Sequence, residues 1–268
     1  MRKTALTIAG SDSSGGAGIQ ADIKTMMANG VYAMSAVTAL TAQNTTGVTA
    51  IMEVTPEFLG QQLDCVFTDI RPDAVKIGMV SSEGLIRKIA EKLKEYKAEN
   101  VVVDPVMGDY GKLYSSYTDE LCQEMKRLIP YANVLTPNLT EACRILDLDY
   151  HSVDFSEPSL EQITQALSEK GPDKIVITGL QQGNQIFNYV FEKNKTSKLI
   201  ATRKIGGDRS GTGDVFSSIV TGALLQGDDF EKAVRRAIEF LDKAIEFTVR
   251  QDLPWNYGIC FEEYLKEL

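Results

Sequence analysis

The sequence predicts a three-layer α/β/α fold with a mostly parallel central sheet. Short apolar runs alternate along the chain with longer amphipathic runs, which is typical of a parallel sheet wrapped by helices. The run Asn100–Asp104 contains three consecutive valines and is the clearest buried strand. No linker rich in Pro, Gly or Ser interrupts the chain, and no repeat is present. Residues 1–268 are therefore predicted to form a single domain.

The predicted elements follow from hydrophobic periodicity and from the positions of Gly and Pro. Strands are expected at residues 4–9, 32–40, 74–77, 100–104, 133–136 and 174–178. An antiparallel pair at 187–191 and 199–204 is expected at the sheet edge. Helices are expected at 19–29, 57–69, 82–95, 118–128, 139–146, 160–169, 213–225 and 230–249, followed by a short amphipathic segment at 261–265.

Composition excludes several classes of protein. The net charge of -9 leaves no basic surplus for nucleic-acid phosphates. No apolar run approaches the ~20 residues that span a membrane, and residues 4–9 read as a strand rather than a signal peptide. A cytoplasmic protein is expected. The four cysteines lack metal-ligand spacing and are predicted to be buried or half-buried thiols, while His151 reads as a solvated loop residue.

The first loop with chemical interest follows the first strand and spans residues 10–18 (GSDSSGGAG). Residues 16–21 match the G-x-G-x-x-A dinucleotide pattern, but the next predicted strand has no acid for a ribose. The P-loop pattern also fails, because no Gly directly precedes Lys24. The loop can bring its backbone close to a ligand, or it can be a tight turn without one.

Two further predicted strand ends carry polar side chains. Asp104 follows the most buried strand and should face a cleft, although a helix cap or a structural ion pair is an equal alternative. Asn138 and Glu141 have the spacing of a capping box. Their functional interpretation is that they orient waters around Mg²⁺, which prefers oxygen ligands and keeps much of its hydration shell.

The most informative motif is Gly211-Thr212-Gly213-Asp214, directly before a long apolar helix. The two glycines, Gly211 and Gly213, allow successive N–H groups to point at one spot at the positive end of that helix. Such a spot suits a phosphoryl group in transfer. Asp214 would then accept the proton of an attacking hydroxyl. The alternative is a first-turn acid that only complements the helix dipole.

These motifs together resemble the ribokinase superfamily, in its branch of pyridoxal kinases and hydroxymethylpyrimidine/phosphomethylpyrimidine kinases. The resemblance covers nearly the whole chain. It implies a ribokinase-like kinase fold with helices on both faces of the sheet, ATP as the phosphoryl donor, and Mg²⁺. The implied substrate is a small heterocyclic alcohol with a primary hydroxymethyl group. The sequence does not reveal the oligomeric state, although the resemblance suggests a homodimer.

The N-terminal half is more similar to the hydroxymethylpyrimidine kinases, in residues 7–25, 39–44 and 76–79. The resemblance implies that Asp22, Gln43 and Met79 line the heterocycle pocket, with Gly10 close by. Gln43 offers a hydrogen-bond donor and an acceptor to an aminopyrimidine edge, and Met79 offers an adaptable apolar wall.

From residue 107 onward the chain is more similar to pyridoxal kinases, in residues 107–114 and 137–143. Asp214 fits that group too, because pyrimidine kinases usually carry Cys there. The expected substrate is 4-amino-5-hydroxymethyl-2-methylpyrimidine, with its monophosphate as a second substrate, in thiamine synthesis. Pyridoxal or pyridoxine is the alternative acceptor.

Under this resemblance, ATP should contact Thr178 and Gly179 at a strand end and the backbone around Thr212. Asp104 and Asn138 belong to the same predicted nucleotide site, and Glu141 with Asp104 is the predicted metal site. Two other classes remain open from the residues alone. They are a nicotinamide-dependent oxidoreductase, which rests on the G-x-G-x-x-A match, and a metabolite-binding protein without catalytic activity.

Overall fold

The computed structural model describes residues 2–268 and contains an eight-stranded sheet with helices on both faces, which confirms the predicted fold class. The strands are β1 (Thr4–Ala9), β2 (Tyr32–Val37), β3 (Ala39–Asn44), β4 (Gly47–Glu53), β5 (Ala74–Ile77), β6 (Val101–Val103), β7 (Gly108–Asp109), β8 (Lys112–Leu113), β9 (Val134–Leu135), β10 (Lys174–Gln182), β11 (Gln185–Glu192) and β12 (Lys198–Arg203). The α-helices are α1 (Gly18–Ala28), α2 (Pro56–Asp69), α3 (Glu83–Tyr96), α4 (Asp119–Met125), α5 (Leu139–Leu146), α6 (Glu157–Ser168), α7 (Thr212–Leu225) and α8 (Phe230–Arg250). Short 3₁₀ helices span Lys126–Tyr131, Tyr150–Ser152, Trp255–Tyr257 and Phe261–Glu267.

The main sheet has the strand order β12-β11-β10-β9-β6-β5-β1-β2. Neighbouring strands from β2 to β10 run parallel, whereas β10–β11 and β11–β12 are antiparallel, as predicted for the sheet edge. The carboxyl ends of the parallel strands meet at one edge, where α/β sheets bind their ligands. The loops after β1, β5, β6 and β9 therefore converge there.

Strand β6 shows why the sheet needs helices on both sides. Val101 and Val103 pack into the core formed with α2 to α6, and Val102 packs into the opposite core with α7 and α8. Successive side chains of a strand point to opposite faces of the sheet, and helices cover both faces. All three valines are therefore buried. The three-valine run is thus apolar throughout rather than alternating.

The predicted strand at residues 32–40 is wrong in its last part. Strand β2 ends at Val37, where the Gln62 side chain binds both the N–H and the carbonyl of Val37, as a further strand would. The chain then leaves the main sheet and forms the antiparallel pair β3–β4, hereafter the flap (residues 39–53), which was not predicted. Strand β4 is exposed along its whole length.

Two smaller expectations also fail. The predicted helix at 118–128 continues beyond Met125 only as the 3₁₀ helix Lys126–Tyr131, which contains Pro130 and so lacks one N–H donor. Cys65 is exposed, because it lies on the face of α2 opposite the core residues Leu59 and Leu63.

Within residues 2–268, no helix is long and apolar enough to cross a membrane.

Candidate active site

A cavity of about 580 Å³ opens at the carboxyl ends of β1 and β5. Its walls come from the glycine-rich loop after β1, from the flap, and from segments 106 and 115–116. Four of the residues predicted from the sequence line it together, namely Gly10, Gln43, Met79 and Asp214. The structure therefore brings three of the four predicted heterocycle-binding residues and the predicted base to one place.

The glycine-rich loop is organised by Asp12, which was not among the predicted site residues. Its carboxylate accepts hydrogen bonds from the N–H groups of Ser14, Gly16 and Ala17 at 2.8–3.0 Å. Asp12 is 4% exposed, so these bonds replace the water that its charge would otherwise bind. An Asp followed by small residues and glycines is a common turn signal, and it could have indicated this role.

The Gly211–Asp214 loop and the glycine-rich loop approach each other more closely than side chains allow. Gly211 has φ +86°, and a Cβ there would lie 2.1 Å from the Gly16 carbonyl oxygen. Gly18 has φ +55°, and a Cβ there would lie 2.5 Å from the Gly10 carbonyl oxygen. Only glycine fits at Gly211 and Gly18, because both the conformation and the space exclude a side chain.

Helix α7 begins at this contact, with Gly211 as its N-cap residue and no side chain capping the first turn. Its first N–H groups are thus not occupied by a capping side chain, and they lie at the positive end of a 14-residue helix. Thr212 and Gly213 form this first turn, and the Thr212 hydroxyl reaches only the Arg209 carbonyl at 3.4 Å. A helix N-terminus without a side-chain cap is able to bind an anion, and this role of the motif stays a prediction.

Asp214 faces the cavity from the first turn of α7. Its Oδ2 accepts a hydrogen bond from the Gly18 N–H at 2.8 Å, and its Oδ1 lies 3.1 Å from the Lys76 ammonium. The side chain is 17% exposed. The carboxylate is consequently oriented by two donors on different oxygens and still reaches the cavity.

Lys76 was not predicted as a site residue, and Asp22 lies elsewhere than predicted. Asp22 is fully buried beneath the cavity, where its Oδ1 lies 2.5 Å from the Lys76 ammonium, so a direct contact with substrate does not fit. Burial lowers the pKa of Lys76, but the carboxylates of Asp22, Asp214 and Asp104 outweigh it and raise that pKa overall. The two carboxylate contacts favour the charged form of Lys76. Its signal in the sequence was a lysine inside a four-residue apolar strand.

Asp104 follows β6 and is 7% exposed. Burial raises its pKa to about 7 against the opposing attraction of Lys76, and Ser217 on α7 donates a hydrogen bond to its Oδ2 at 3.1 Å. A Cβ on Gly213 would lie 3.6 Å from the same oxygen. Asp104 thus packs against the start of α7, and it does not line the cavity described above.

Asn138 and Glu141 form a complete capping box at the start of α5, which confirms the structural interpretation. Glu141 accepts hydrogen bonds from the N–H of Asn138 at 2.8 Å and of Met107 at 3.1 Å. Burial raises the pKa of Glu141 well above its usual range. The amide of Asn138 also donates to the Gly108 carbonyl at 2.7 Å, so this box fixes the segment after β6.

Thr178 and Gly179, predicted to bind ATP, lie at an irregularity of β10 between Ile177 and Leu180. Gly179 has φ +70°, and a Cβ there would have open space around it. Thr178 forms an isolated bridge with Asn138, which places the two predicted nucleotide residues side by side. Neither residue lines the cavity described above.

The fold and this site define a small-molecule kinase, because an uncapped helix N-terminus and an oriented carboxylate adjoin a cavity of metabolite size. The family model "Phosphomethylpyrimidine kinase" matches residues 12–258. The hydroxymethylpyrimidine/phosphomethylpyrimidine kinase of Bacillus subtilis is 39% identical over 248 residues, which cover 91% of this chain and 90% of that protein. This chain belongs to the phosphomethylpyrimidine kinase family.

Solved structures agree with that assignment. A Bacteroides thetaiotaomicron protein assigned as a phosphomethylpyrimidine kinase, in a crystal form with pyridoxal, superposes with a TM-score of 0.92 at 26% identity, covering 100% of this chain and 96% of that one. An ADP complex of the Bacillus subtilis pyridoxal kinase gives a TM-score of 0.81 at 31% identity, covering 92% of each chain. The predicted kinase class is thereby confirmed, as is the resemblance to both kinase groups. Membership of a kinase family implies the use of ATP.

The contact between the two loops can be tested with Gly211→Ala. A methyl group at this position meets the Gly16 carbonyl and forces a left-handed conformation, so we expect turnover to fall at least about tenfold and the free energy of unfolding to fall by about 1–3 kcal/mol. Steady-state kinetics and urea denaturation measure the two effects.

Gly207→Ala is the matched control, since Gly207 lies in the same loop and a Cβ there has open space. Its free energy of unfolding should stay within about 0.5 kcal/mol of the parent. Equal behaviour of the two alanine variants would show that the close approach is unimportant.

Proposed function

We propose that this protein transfers the γ-phosphoryl group of ATP to the primary hydroxyl of 4-amino-5-hydroxymethyl-2-methylpyrimidine, and then to the monophosphate so formed, in thiamine synthesis. The observation that carries the proposal is that Gln43, Met79 and Asp214 line one cavity in a chain that is 39% identical to a hydroxymethylpyrimidine/phosphomethylpyrimidine kinase. Eight of the twelve strands in residues 2–268 form one sheet with helices packed on both faces, which supports a single kinase domain.

In this proposal, some walls of the cavity recognise the heterocycle and others carry out the phosphoryl transfer. The Gln43 amide pairs with the aminopyrimidine edge, since it offers both a donor and an acceptor. The Met79 thioether packs on the ring, and the Gly10 backbone lies beside it. Asp214 accepts the proton of the hydroxymethyl group, and the first turn of α7 stabilises the negative charge on the phosphoryl group during transfer.

The nucleotide and Mg²⁺ would occupy the neighbouring strand ends. Thr178, Gly179 and Asn138 lie together beside the segment that leads to Glu141, and Asp104 lies against the start of α7. No cluster of three His, Cys, Asp or Glu side chains in the described part of the chain is arranged to hold a metal alone. The two carboxylates of Asp104 and Glu141 fit Mg²⁺, which binds through one or two carboxylates together with waters and substrate phosphates. When bound, the ion would neutralise charge on the phosphates.

Pyridoxal is the second candidate acceptor, because Asp214 departs from the pattern of pyrimidine kinases in the direction of pyridoxal kinases. The pyridoxal-containing crystal form of the Bacteroides relative adds to this case. Both acceptors are heterocycles with a primary alcohol, and both would use the same base and the same helix N-terminus.

The proposal predicts turnover of hydroxymethylpyrimidine with ATP and Mg²⁺, at a kcat/KM above that for pyridoxal. A coupled ADP-release assay on the purified protein with each alcohol measures this ratio, and product mass identifies single or double phosphorylation. Phosphorylation of pyridoxal alone would assign the second candidate. No turnover of either alcohol would favour a binding protein without catalytic activity.

Recognition of the pyrimidine edge is tested by Gln43→Leu, which keeps the size of the side chain and removes both hydrogen-bonding groups. We expect KM for hydroxymethylpyrimidine to rise about tenfold or more, because buried polar groups of the substrate lose their partners. The control is Gln61→Leu, which makes the same change at an exposed position of α2. A KM for Gln43→Leu equal to that of the control would remove Gln43 from the site.

The catalytic role of Asp214 is tested by Asp214→Asn. The amide cannot accept the proton, so kcat should fall about 10²–10⁴-fold while an ATP-induced rise in melting temperature is retained. Asp229→Asn is the control, since Asp229 is the N-cap residue of the next helix, α8, where Asn caps equally well. Unaltered turnover in Asp214→Asn would refute the assignment of the base.

A further inference from the structure

The Lys76 ammonium lies in a buried charge cluster that the proposed reaction leaves without a role. Lys76 is 0% exposed, and its Nζ lies 2.5 Å from Asp22 Oδ1 and 3.1 Å from Asp214 Oδ1. A buried ammonium is costly unless carboxylates and hydrogen bonds compensate its charge. An apolar residue at this position of β5 would avoid that cost.

Asp22 is fixed in place by groups from several elements. Its Oδ2 accepts a hydrogen bond from the Thr7 hydroxyl of β1 at 2.5 Å, and its Oδ1 accepts one from the Ser218 hydroxyl of α7 at 2.8 Å as well as the bond from Lys76. Asp22 itself belongs to α1. Its carboxylate is therefore a fixed counter-charge and holds the Lys76 ammonium at one position.

Asp214, in contrast, reaches the cavity. Lys76 binds its Oδ1, and the Gly18 N–H binds its Oδ2. Gly78 keeps the space beside this contact open, since a Cβ there would lie 3.3 Å from Lys76 Nζ and 3.7 Å from Asp214 Oδ1. The Lys76 bond is the side-chain contact that fixes the rotation of the Asp214 carboxylate.

We propose that Lys76 is a positioning residue for Asp214, and that Asp22 limits how strongly Lys76 binds it. The inference rests on the proposed role of Asp214 as the proton acceptor. In that step the hydroxymethyl O–H bond breaks and an O–H bond forms on Asp214. The freed substrate oxygen forms a bond to the γ-phosphorus of ATP as the bond from that phosphorus to ADP breaks. Lys76 keeps its proton throughout.

The sharing of one ammonium between two carboxylates has a chemical consequence. A positive charge favours the ionised form of a neighbouring carboxylate, and so lowers its affinity for a proton. The Lys76 ammonium lies closer to Asp22 than to Asp214, so Asp22 offsets part of its positive charge. The longer contact still orients the Asp214 carboxylate. Asp104 after β6 and Tyr114 also interact electrostatically with this cluster, and Asp12 lines the same cavity. These groups are unchanged in the variants below.

Two variants should move the acid limb of the kcat/KM profile in opposite directions. In Asp22→Asn, Lys76 retains Asp214 as its full counter-charge, so the limb should move to lower pH. In the double variant Lys76→Met with Asp22→Asn, the ammonium is lost and the limb should move to higher pH, by about one pH unit. The double variant removes both charges of the pair, a change that buried pairs often tolerate.

Kinetic constants separate positioning from substrate contact. In the double variant kcat should fall about 10–100-fold through loss of orientation, with KM for the alcohol within about threefold of the parent. A large rise in KM with unchanged kcat in Asp22→Asn would instead assign Asp22 to substrate binding and overturn the inference. Acid limbs that move in the same direction would overturn it too.

The matched control is the double variant Lys92→Met with Asp64→Asn, which removes another Lys–Asp pair (2.7 Å) between α2 and α3. It should leave the acid limb and kcat unchanged. ¹³C NMR titration of the Asp214 carboxyl carbon, assigned with Asp214→Asn, gives the same comparison without turnover. If the parent phosphorylates neither alcohol, the proposed function fails, while the order of the NMR midpoints still supports or refutes the role of Lys76.

Discussion

The buried ammonium of Lys76 is the constraint on which the rest of the active-site architecture depends. It lies on β5 inside the sheet, and its charge requires carboxylates from outside that strand. Asp22 comes from α1 and Asp214 from α7, so each helix must pack on the sheet in the position that brings its carboxylate to Lys76. Removing a single partner from such a pair costs about 3–5 kcal/mol, which is a large part of the stability of an ordinary domain. The position of Asp214, the proposed base, and the stability of the fold are thus linked.

Backbone contacts at glycine residues also hold the start of α7 in place. Because the Gly16 carbonyl occupies the space where a Cβ of Gly211 would be, the loop after β1 and the start of α7 are in direct contact. The Asp12 carboxylate fixes the loop by binding three of its N–H groups. The Gly18 N–H is consequently available to Asp214. One short loop therefore both contacts the helix N-terminus and orients the carboxylate of Asp214, the proposed base.

Most of the main sheet could be predicted because burial leaves a periodic signal. The bounds of β5 and α5 agree with prediction to the residue, and both segments are dominated by buried side chains. Strand β4 of the flap left no such signal, since it is exposed on both faces and has no burial pattern for the sequence to reflect. The direction of the Asp22 side chain could not be predicted from the sequence either. Its place on α1 was predicted, but only the packing of α1 on β5 shows that it faces Lys76 instead of the cavity.

The side chains proposed for chemistry and those proposed for recognition belong to different parts of the fold. The proposed base, Asp214, and the helix N-terminus belong to α7, which is anchored through the buried charges. The residues that would choose the acceptor belong largely to the flap, where Gln43 lines the cavity and Ile51 is 45% exposed. Few contacts with the core constrain an exposed two-stranded segment, so its side chains can change with little effect on Asp214. Acceptor choice can therefore diverge between relatives while phosphoryl transfer is retained.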